Sequence, residues 1–218
     1  MKYTVKSPFW FKWIYPDYIW EMEGKGKIIY LTFDDGPQAE ATPFVLDTLA
    51  IYNAKATFFC IGKNVEEHPD LYKRILTEGH TVGNHTQNHL NGWHTNDDVY
   101  IDNVKQAAKW IDSTLFRPPY GRIKKFQAKV LMQQLNTETN TIPFKIVMWT
   151  VLSGDFDTDI SGDKCFRNVQ QKTKEGSIVV FHDSAKAFER LQYALPRTLE
   201  YFAEKGFRFE AIGKARRQ

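Results

Sequence analysis

The chain has 218 residues, of which 42% are hydrophobic and 25% are charged. A soluble chain of this length and composition can bury a sizeable core in one domain without a disulfide or a metal to hold it together. The formal net charge of +3 is too small to indicate a nucleic-acid partner, and Cys60 and Cys165 stand at no metal-ligand spacing, so we expect free thiols.

The first 26 residues are rich in aromatic side chains. The clustered ones are Trp10, Phe11, Trp13, Tyr15, Tyr18 and Trp20. Lys12, Pro16 and Asp17 interrupt them before a signal-peptide core or a membrane span develops, so the sequence predicts a cytoplasmic location. We expect residues 1–26 to pack on the domain formed by residues 27–218. The alternative is contact with a membrane surface through these aromatics.

From residue 27 onward, short β-type runs alternate with longer helical patterns. The expected strands are 27–33, 55–61, 81–84, 115–117, 145–151, 177–181 and 207–212. The expected helices are 41–52, 64–78, 96–113, 124–135, 163–174 and 188–205. This alternation predicts an α/β fold with a parallel sheet. Because no Gly-rich nucleotide fingerprint follows the first strand, the pattern favours a closed or nearly closed barrel of about seven strands.

Residues able to do chemistry follow the ends of five expected strands. In chain order they are Asp34 and Asp35, His85 and His89, Arg117 with Tyr120, Asp155, and His182. The carboxyl ends of the strands in such a barrel share one face, where active sites are built. Five separate segments therefore point to one site.

Two imidazoles and one carboxylate make a three-ligand metal site with an open position for water, which is typical of catalytic zinc. His85 and His89 supply the imidazoles, and one of the adjacent carboxylates Asp34 and Asp35 would bind the metal while the other serves as a base. The residues alone leave open which carboxylate does which. They also leave open that the two histidines lie on a helix surface and hold no metal.

His182 follows an apolar strand, where a general acid would fit, and Asp155 could orient its ring. Arg117 could hold Asp34 ionised through charge-assisted hydrogen bonds. Each of these residues also has an ordinary structural explanation. His182 would be a satisfied core residue, Arg117 a partner in a surface salt bridge, and Asp155 a loop cap.

Taken together, the motifs closely resemble those of the polysaccharide deacetylases with the NodB homology domain, carbohydrate esterase family 4. The matching motifs are Thr32-Phe33-Asp34-Asp35-Gly36-Pro37, His85-x-x-x-His89, Arg117-x-Pro119-Tyr120, Trp149 with Asp155, and Val180-Phe181-His182-Asp183. They occur in the family's order and extend over nearly the whole chain. The resemblance implies a distorted (β/α) barrel, with residues 27–218 as the catalytic domain.

The resemblance also implies the role of each residue. Asp34 would be the base, while Asp35, His85 and His89 would hold one divalent ion, with zinc expected and cobalt or nickel as alternatives. The metal and the Tyr120 N–H would stabilise the oxyanion, His182 would protonate the leaving amine, Asp155 would tune His182, and Arg117 would position Asp34. Trp149 and Val180 would line the pocket for the acetyl methyl group.

The chain departs from the family pattern after Trp149. The family often has an Asp three residues on and an Asp-Trp pair further along, where this chain has Leu152 and Asp155-Phe156. The carboxylate is kept but the wall of the substrate groove differs, which affects the substrate more than the reaction.

The sequence therefore predicts a metal-dependent hydrolase that removes N-acetyl groups from an N-acetylhexosamine-containing carbohydrate, which could be a polysaccharide, a peptidoglycan fragment or an oligosaccharide. One alternative is a deacylase or deformylase of a lipid-linked or small amino-sugar substrate. The other, from a different class, is a catalytically silent carbohydrate-binding protein.

Overall fold

The computed structural model describes residues 3–23, 26–133 and 144–213. Its strands all pair in parallel and are mostly short. They are β1 (Ile28–Asp34), β2 (Thr57–Cys60), β3 (Thr81–Asn84), β4 (Leu115–Phe116), β5 (Lys145–Ile146), β6 (Val151–Leu152), β7 (Ile178–His182) and β8 (Arg208–Phe209).

Helices connect most of the strands. They are α1 (Phe11–Ile14), α2 (Ala41–Ile51), α3 (Gly62–Glu67), α4 (Pro69–Thr77), α5 (Asp97–Ala107), α6 (Lys125–Gln133), α7 (Gly162–Lys172) and α8 (Phe188–Glu204), with a short 3-10 helix at Pro119–Gly121. None of the helices in the described part of the chain is both long and apolar enough to span a bilayer.

The strand order is β5-β4-β3-β2-β1-β7-β6, and β8 adds to β1. The two end strands, β5 and β6, follow each other in the chain with only residues 147–150 between them, so the sheet curves round until its ends come close. The expected distorted (β/α) barrel is thereby confirmed, and the carboxyl ends of β1, β3, β4 and β7 meet on one face.

The N-terminal segment lies along the opening between β5 and β6. The Ser7 N–H donates to the Thr150 carbonyl oxygen at 3.0 Å, and Lys6 forms an antiparallel bridge with Val151. Further on, the N–H of Met148 donates to the Ile19 carbonyl oxygen at 2.7 Å. These bonds occupy backbone groups of residues 147–152 that would otherwise form an open sheet edge.

The core is centred on β1, whose seven residues are all buried. Such a continuous apolar strand is expected where helices cover both faces of a parallel sheet. Phe33 stacks against Phe58 and Phe181, with ring centroids 5.1 and 6.1 Å away. These three rings join β1, β2 and β7 directly beneath the face where β1 ends.

Two expected elements are each divided in the structure. The helix expected over 64–78 breaks at His68, because the following Pro69 disfavours helical backbone in the residue before it and starts α4 instead. The strand expected over 145–151 is two strands, since Lys145 and Ile146 pair with β4 whereas Val151 and Leu152 pair with β7. One straight strand could not reach both ends of the sheet.

The helix expected over 96–113 ends earlier, at Ala107. The chain turns there to enter β4, and the Ser113 hydroxyl fixes the entry by donating to the Val82 carbonyl oxygen and accepting from the Leu115 N–H. The helix expected over 124–135 is seen as far as Gln133, and its last two residues lie outside the described residues.

We expect Phe33→Ala to lower the free energy of unfolding by about 3–5 kcal/mol, because it leaves a cavity between two stacked rings. Urea denaturation followed by fluorescence would measure the change. Phe126→Ala is the matched control, since Phe126 is 58% exposed on α6 and should cost less than about 0.5 kcal/mol. A loss below about 1 kcal/mol for Phe33→Ala would contradict this placement of the core.

Candidate active site

Asp35, His85 and His89 come together at the carboxyl ends of β1 and β3. The Asp35 Oδ1 atom lies 3.1 Å from His89 Nε2 and 3.6 Å from His85 Nε2. One ligand atom from each residue lies within 4.8 Å of the others. His85 is buried, while Asp35 and His89 are partly exposed, so the trio borders open space on one side.

Backbone conformation aims these side chains at one another. Asp35 and His89 both have positive φ angles, 78° and 56°, which residues other than glycine rarely adopt. The Asn64 side chain helps to hold the first of these turns, because its Nδ2 donates to the Asp35 carbonyl oxygen at 2.7 Å. Strained backbone of this kind persists where its surroundings fix it and is concentrated at functional sites.

A hydrogen bond fixes the ring of His85. Its Nδ1 donates to the Arg117 carbonyl oxygen at 2.7 Å, which leaves Nε2 unprotonated on the side of Asp35. Burial lowers the pKa of His85 to about 4, so the ring is neutral near pH 7. A neutral imidazole oriented through its second nitrogen is the usual state of a histidine metal ligand.

The residues fit a divalent metal ion. Among the described residues, none gives the buried Asp35 Oδ1 a well-aligned hydrogen bond, although His89 Nε2 is close to it. Burial would raise the pKa of Asp35, but contact with His89 and the charges of His182 and His85 outweigh burial and lower it. A carboxylate beside two imidazoles is a donor set that zinc and related metals accept.

Asp34 is held by Arg117, which is fully buried. The Arg117 Nη1 donates to Asp34 Oδ1 at 2.7 Å and to the Thr32 hydroxyl at 2.7 Å. The rest of the guanidinium donates to backbone, from Nε to Val147 and from Nη2 to Met148. A buried charge with all these acceptors is a rigid support, so one carboxylate oxygen of Asp34 has a fixed position.

His182 forms a tight pair with Asp155. Its Nδ1 donates to Asp155 Oδ1 at 2.7 Å, and its backbone N–H donates to Oδ2 at 2.7 Å. Burial alone would lower the pKa of His182, but the charge and hydrogen bond of Asp155 outweigh it and raise the pKa to about 9. Arg190 donates to the Asp155 carbonyl oxygen, which fixes the loop that carries this carboxylate.

Aromatic side chains wall the space between these groups. The Tyr120 ring is 56% exposed and meets the His89 ring edge-on, with centroids 4.6 Å apart. Trp149 is partly buried, and the centroid of its ring lies 5.7 Å from the Arg117 Cζ atom. Gly121 packs closely on this ring, because a Cβ atom at position 121 would lie 2.7 Å from it. Val180 is buried two residues before His182 on β7, and so lies on the same face of that strand.

The wall on the His182 side includes Phe156, at the position where the chain departs from the family pattern, and Tyr3, which the sequence motifs do not single out. Phe156 meets the His182 ring at 5.2 Å between centroids, and Tyr3 packs on Phe156 at 5.0 Å between centroids. Nothing in the sequence pattern indicates that residue 3 reaches the site, because the contact depends on the path of the N-terminal segment along β6.

Asp183 belongs to the last sequence motif, but the resemblance assigns it no role. It is fully buried, its Oδ2 accepts from the Thr42 hydroxyl at 2.6 Å, and a Cβ on Gly36 would collide with its carboxyl group. Burial, together with the charge of Asp35, raises the pKa of Asp183 to about 8 despite the Thr42 hydrogen bond. Its position directly after His182 is the sequence signal that could have identified it as a residue of the site.

Comparison with known proteins agrees with this geometry. The family model described as polysaccharide deacetylase matches residues 21–138. The chain belongs to the polysaccharide deacetylase family. A peptidoglycan-N-acetylglucosamine deacetylase of Bacillus cereus is 35% identical over 201 residues, which cover 89% of this chain and 91% of that protein.

Two further relatives extend the comparison. A chitooligosaccharide deacetylase of Rhizobium leguminosarum bv. trifolii is 32% identical over 158 residues, or 71% of each chain. The crystal structure of the Bc1960 peptidoglycan N-acetylglucosamine deacetylase, in complex with a naphthyl N-hydroxybenzamide, superposes with a TM-score of 0.83 at 32% identity and covers 94% of this chain and 95% of its own. Family membership makes this protein a hydrolase of amide bonds in a metal-dependent family.

We expect one divalent ion per chain, bound by Asp35, His85 and His89. Asp35→Ala should weaken zinc binding by about a hundredfold or more, because it removes the charged ligand. Isothermal titration calorimetry on metal-free protein would measure the affinity. His94→Ala, a change at an exposed histidine five residues beyond His89, should leave it unchanged. Equal effects of the two substitutions would place the metal elsewhere.

We also expect the His182 imidazole of metal-free protein to titrate with a midpoint near pH 9, as measured by NMR. In Asp155→Asn the midpoint should fall by more than about one pH unit, because the carboxylate charge is lost while burial remains. The His94 signal in the same spectra provides an internal control. A His182 midpoint that does not move would show that Asp155 does not govern its protonation.

Proposed function

We propose that this protein hydrolyses the N-acetyl group of an N-acetylhexosamine within a carbohydrate, releasing acetate. The observation that carries the proposal is the arrangement of three parts around one open space. These are a fixed carboxylate at Asp34, the trio Asp35, His85 and His89, and the His182 imidazole paired with Asp155. The relatives are named as deacetylases of peptidoglycan N-acetylglucosamine and of chitooligosaccharides, which supports the same reaction.

Asp34 is the general base in this proposal. Arg117 holds its Oδ1, which leaves Oδ2 to accept a proton from the attacking water. The adjacent Asp35 is not an equal candidate, because its Oδ1 faces His85 and His89 and it belongs with them as a ligand. The two neighbouring carboxylates therefore have separate roles.

Asp35, His85 and His89 would hold the ion, which we propose to be zinc, with cobalt or nickel as alternatives that the same donors accept. When bound, such an ion acts as a Lewis acid towards the amide oxygen and makes water easier to deprotonate. The Tyr120 N–H is a further oxyanion donor, because no described residue accepts a hydrogen bond from it.

His182 is the general acid that protonates the leaving amine. Its pKa of about 9 keeps the ring protonated at neutral pH, and the bond from Nδ1 to Asp155 leaves the proton on Nε2 for transfer. Trp149 and Val180 would pack against the acetyl methyl group. Val180 is buried on β7 two residues before His182, and Trp149 is partly buried beside Arg117.

A second candidate is acyl hydrolysis on a lipid-linked amino sugar at a membrane surface. The observation in its favour is the exposure of Phe9, just before α1, and of Trp13, within α1, at 70% and 77%. Aromatic rings placed in this way bind well at the interface between lipid and water. Failure to sediment with anionic lipid vesicles would exclude the membrane version.

We expect metal-loaded protein to release acetate from N-acetylglucosamine oligomers or peptidoglycan fragments, and Asp34→Asn to lower kcat by about a hundredfold or more. Asp98→Asn on the exposed face of α5 is the matched control and should keep full activity. Full activity in Asp34→Asn would rule out this mechanism. Absence of acetate release from every fragment, with metal bound, would favour another acyl group or a binding-only protein.

The proposed acid also sets a limit on pH. Because His182 must be protonated to serve as the acid, kcat should fall as the pH rises through about 9. A pH–rate profile measured at a constant free metal concentration would show this fall in kcat. An activity that stays level well above this pH would exclude His182 as the acid.

A further inference from the structure

An indole and a guanidinium meet on the rim of the site, outside the catalytic groups. Trp93 is 56% exposed, and the Arg122 guanidinium Cζ lies 5.1 Å from the centroid of its ring. Trp93 lies on the loop that also carries His89, and Arg122 follows Tyr120 by two residues. The pair therefore joins the two loops that border the metal side of the site.

The exposed indole is held in place by backbone hydrogen bonds. Trp93 Nε1 donates to the Ile123 carbonyl oxygen at 3.3 Å, and the Gly92 N–H donates to the Arg122 carbonyl oxygen at 3.1 Å. A Cβ on Gly92 would lie 2.6 Å from that same oxygen, so the two loops approach closely. Gln127 strengthens the junction by donating to the Gly92 carbonyl oxygen. An aromatic surface fixed in this way loses little conformational entropy on binding.

Arg122 lies on the loop that carries Tyr120, and its guanidinium has no acidic partner in the described part of the chain. Arg122 stands two residues after Tyr120, whose ring lies against the His89 ring with centroids 4.6 Å apart. Among the described residues, no carboxylate forms an ion pair with Arg122, unlike the guanidiniums of Arg74 and Arg117. A carboxylate brought by a ligand would therefore meet an uncompensated cation.

We propose that Trp93 and Arg122 form a sugar subsite that takes a carboxylate-bearing residue of the glycan, next to the N-acetylhexosamine that is hydrolysed. This inference rests on the proposed function and specifies its substrate class. The indole supplies a flat surface for the apolar face of a pyranose ring, and the guanidinium fork matches the two oxygens of a carboxylate. A glycan with lactyl ether carboxylates meets both requirements, whereas a neutral N-acetylglucosamine oligomer meets only the first.

The test compares two fragments of equal length. One is a neutral N-acetylglucosamine oligomer, and the other is a peptide-free peptidoglycan fragment with free lactyl carboxylates. With metal-loaded Arg122→Gln, we expect KM for the acidic fragment to rise about tenfold, as the loss of one charge-assisted contact implies, while its kcat stays within about twofold. KM for the neutral fragment should stay within about twofold.

Two further variants show which part of the subsite acts. Trp93→Ala should raise KM for both fragments, because both stack on the indole. Arg197→Gln is the matched control, since the Arg197 guanidinium also lies over an exposed ring, with Cζ 3.7 Å from the Tyr193 centroid, but on α8 away from the site. It should change neither KM. An equal effect of Arg122→Gln on both fragments, or no effect on either, would overturn the proposal.

A binding measurement separates this inference from the proposed function. In Asp34→Asn protein, which should bind glycan without turnover, calorimetry should show the acidic fragment binding about tenfold more weakly once Arg122→Gln is added. If the wild type releases no acetate but this difference is found, the reaction is wrong and the subsite stands. If acetate is released but binding does not change, the subsite is wrong and the reaction stands.

Discussion

The buried guanidinium of Arg117 is the interaction on which the site depends. A buried charged side chain is stable in a protein only if its hydrogen-bond donors have acceptors. Removing one partner of a buried ion pair costs about 3–5 kcal/mol. Arg117 is fully buried, and Phe59 covers one face of its guanidinium at 4.1 Å from Cζ to the ring centroid. Its acceptors are Asp34, Thr32 and the carbonyl oxygens of Val147 and Met148.

These bonds link parts of the barrel that are distant in sequence. The side chain joins the end of β1 to the crossing between β5 and β6, and the Arg117 carbonyl oxygen fixes the ring of His85 after β3. The proposed base and one proposed metal ligand therefore take their positions from a single residue. The acid is supported separately, because His182 is held by Asp155 on the other side of β1.

The adjacent carboxylates illustrate how backbone divides chemical roles. Asp34 is the last residue of β1, and its side chain points to Arg117. Asp35 leaves the strand with a φ of 78°, which turns it towards the histidines. The alternation of side chains along a strand predicts that neighbours diverge. It does not predict the left-handed turn that decides where the second carboxylate goes.

Much of the architecture could be predicted because local signals and the global fold agree. The apolar run at 28–33 and the alternation of strands and helices indicate the parallel barrel, and the positions of Asp34, His85 and His182 at strand ends indicate its active face. The division of 145–151 was not predictable, since it depends on which distant strand each half pairs with. The contact of Tyr3 with Phe156 has the same origin, because it requires the path of the N-terminal segment over β6.

The turns that follow β1 and β3 would assemble one metal site from Asp35, His85 and His89. The most direct measurement is anomalous X-ray diffraction at the zinc absorption edge from crystals of zinc-loaded protein. We expect a single peak per chain, about 2.0–2.2 Å from one Asp35 oxygen and from the Nε2 atoms of both histidines. A peak bound by other residues, or none at full zinc occupancy in solution, would contradict it.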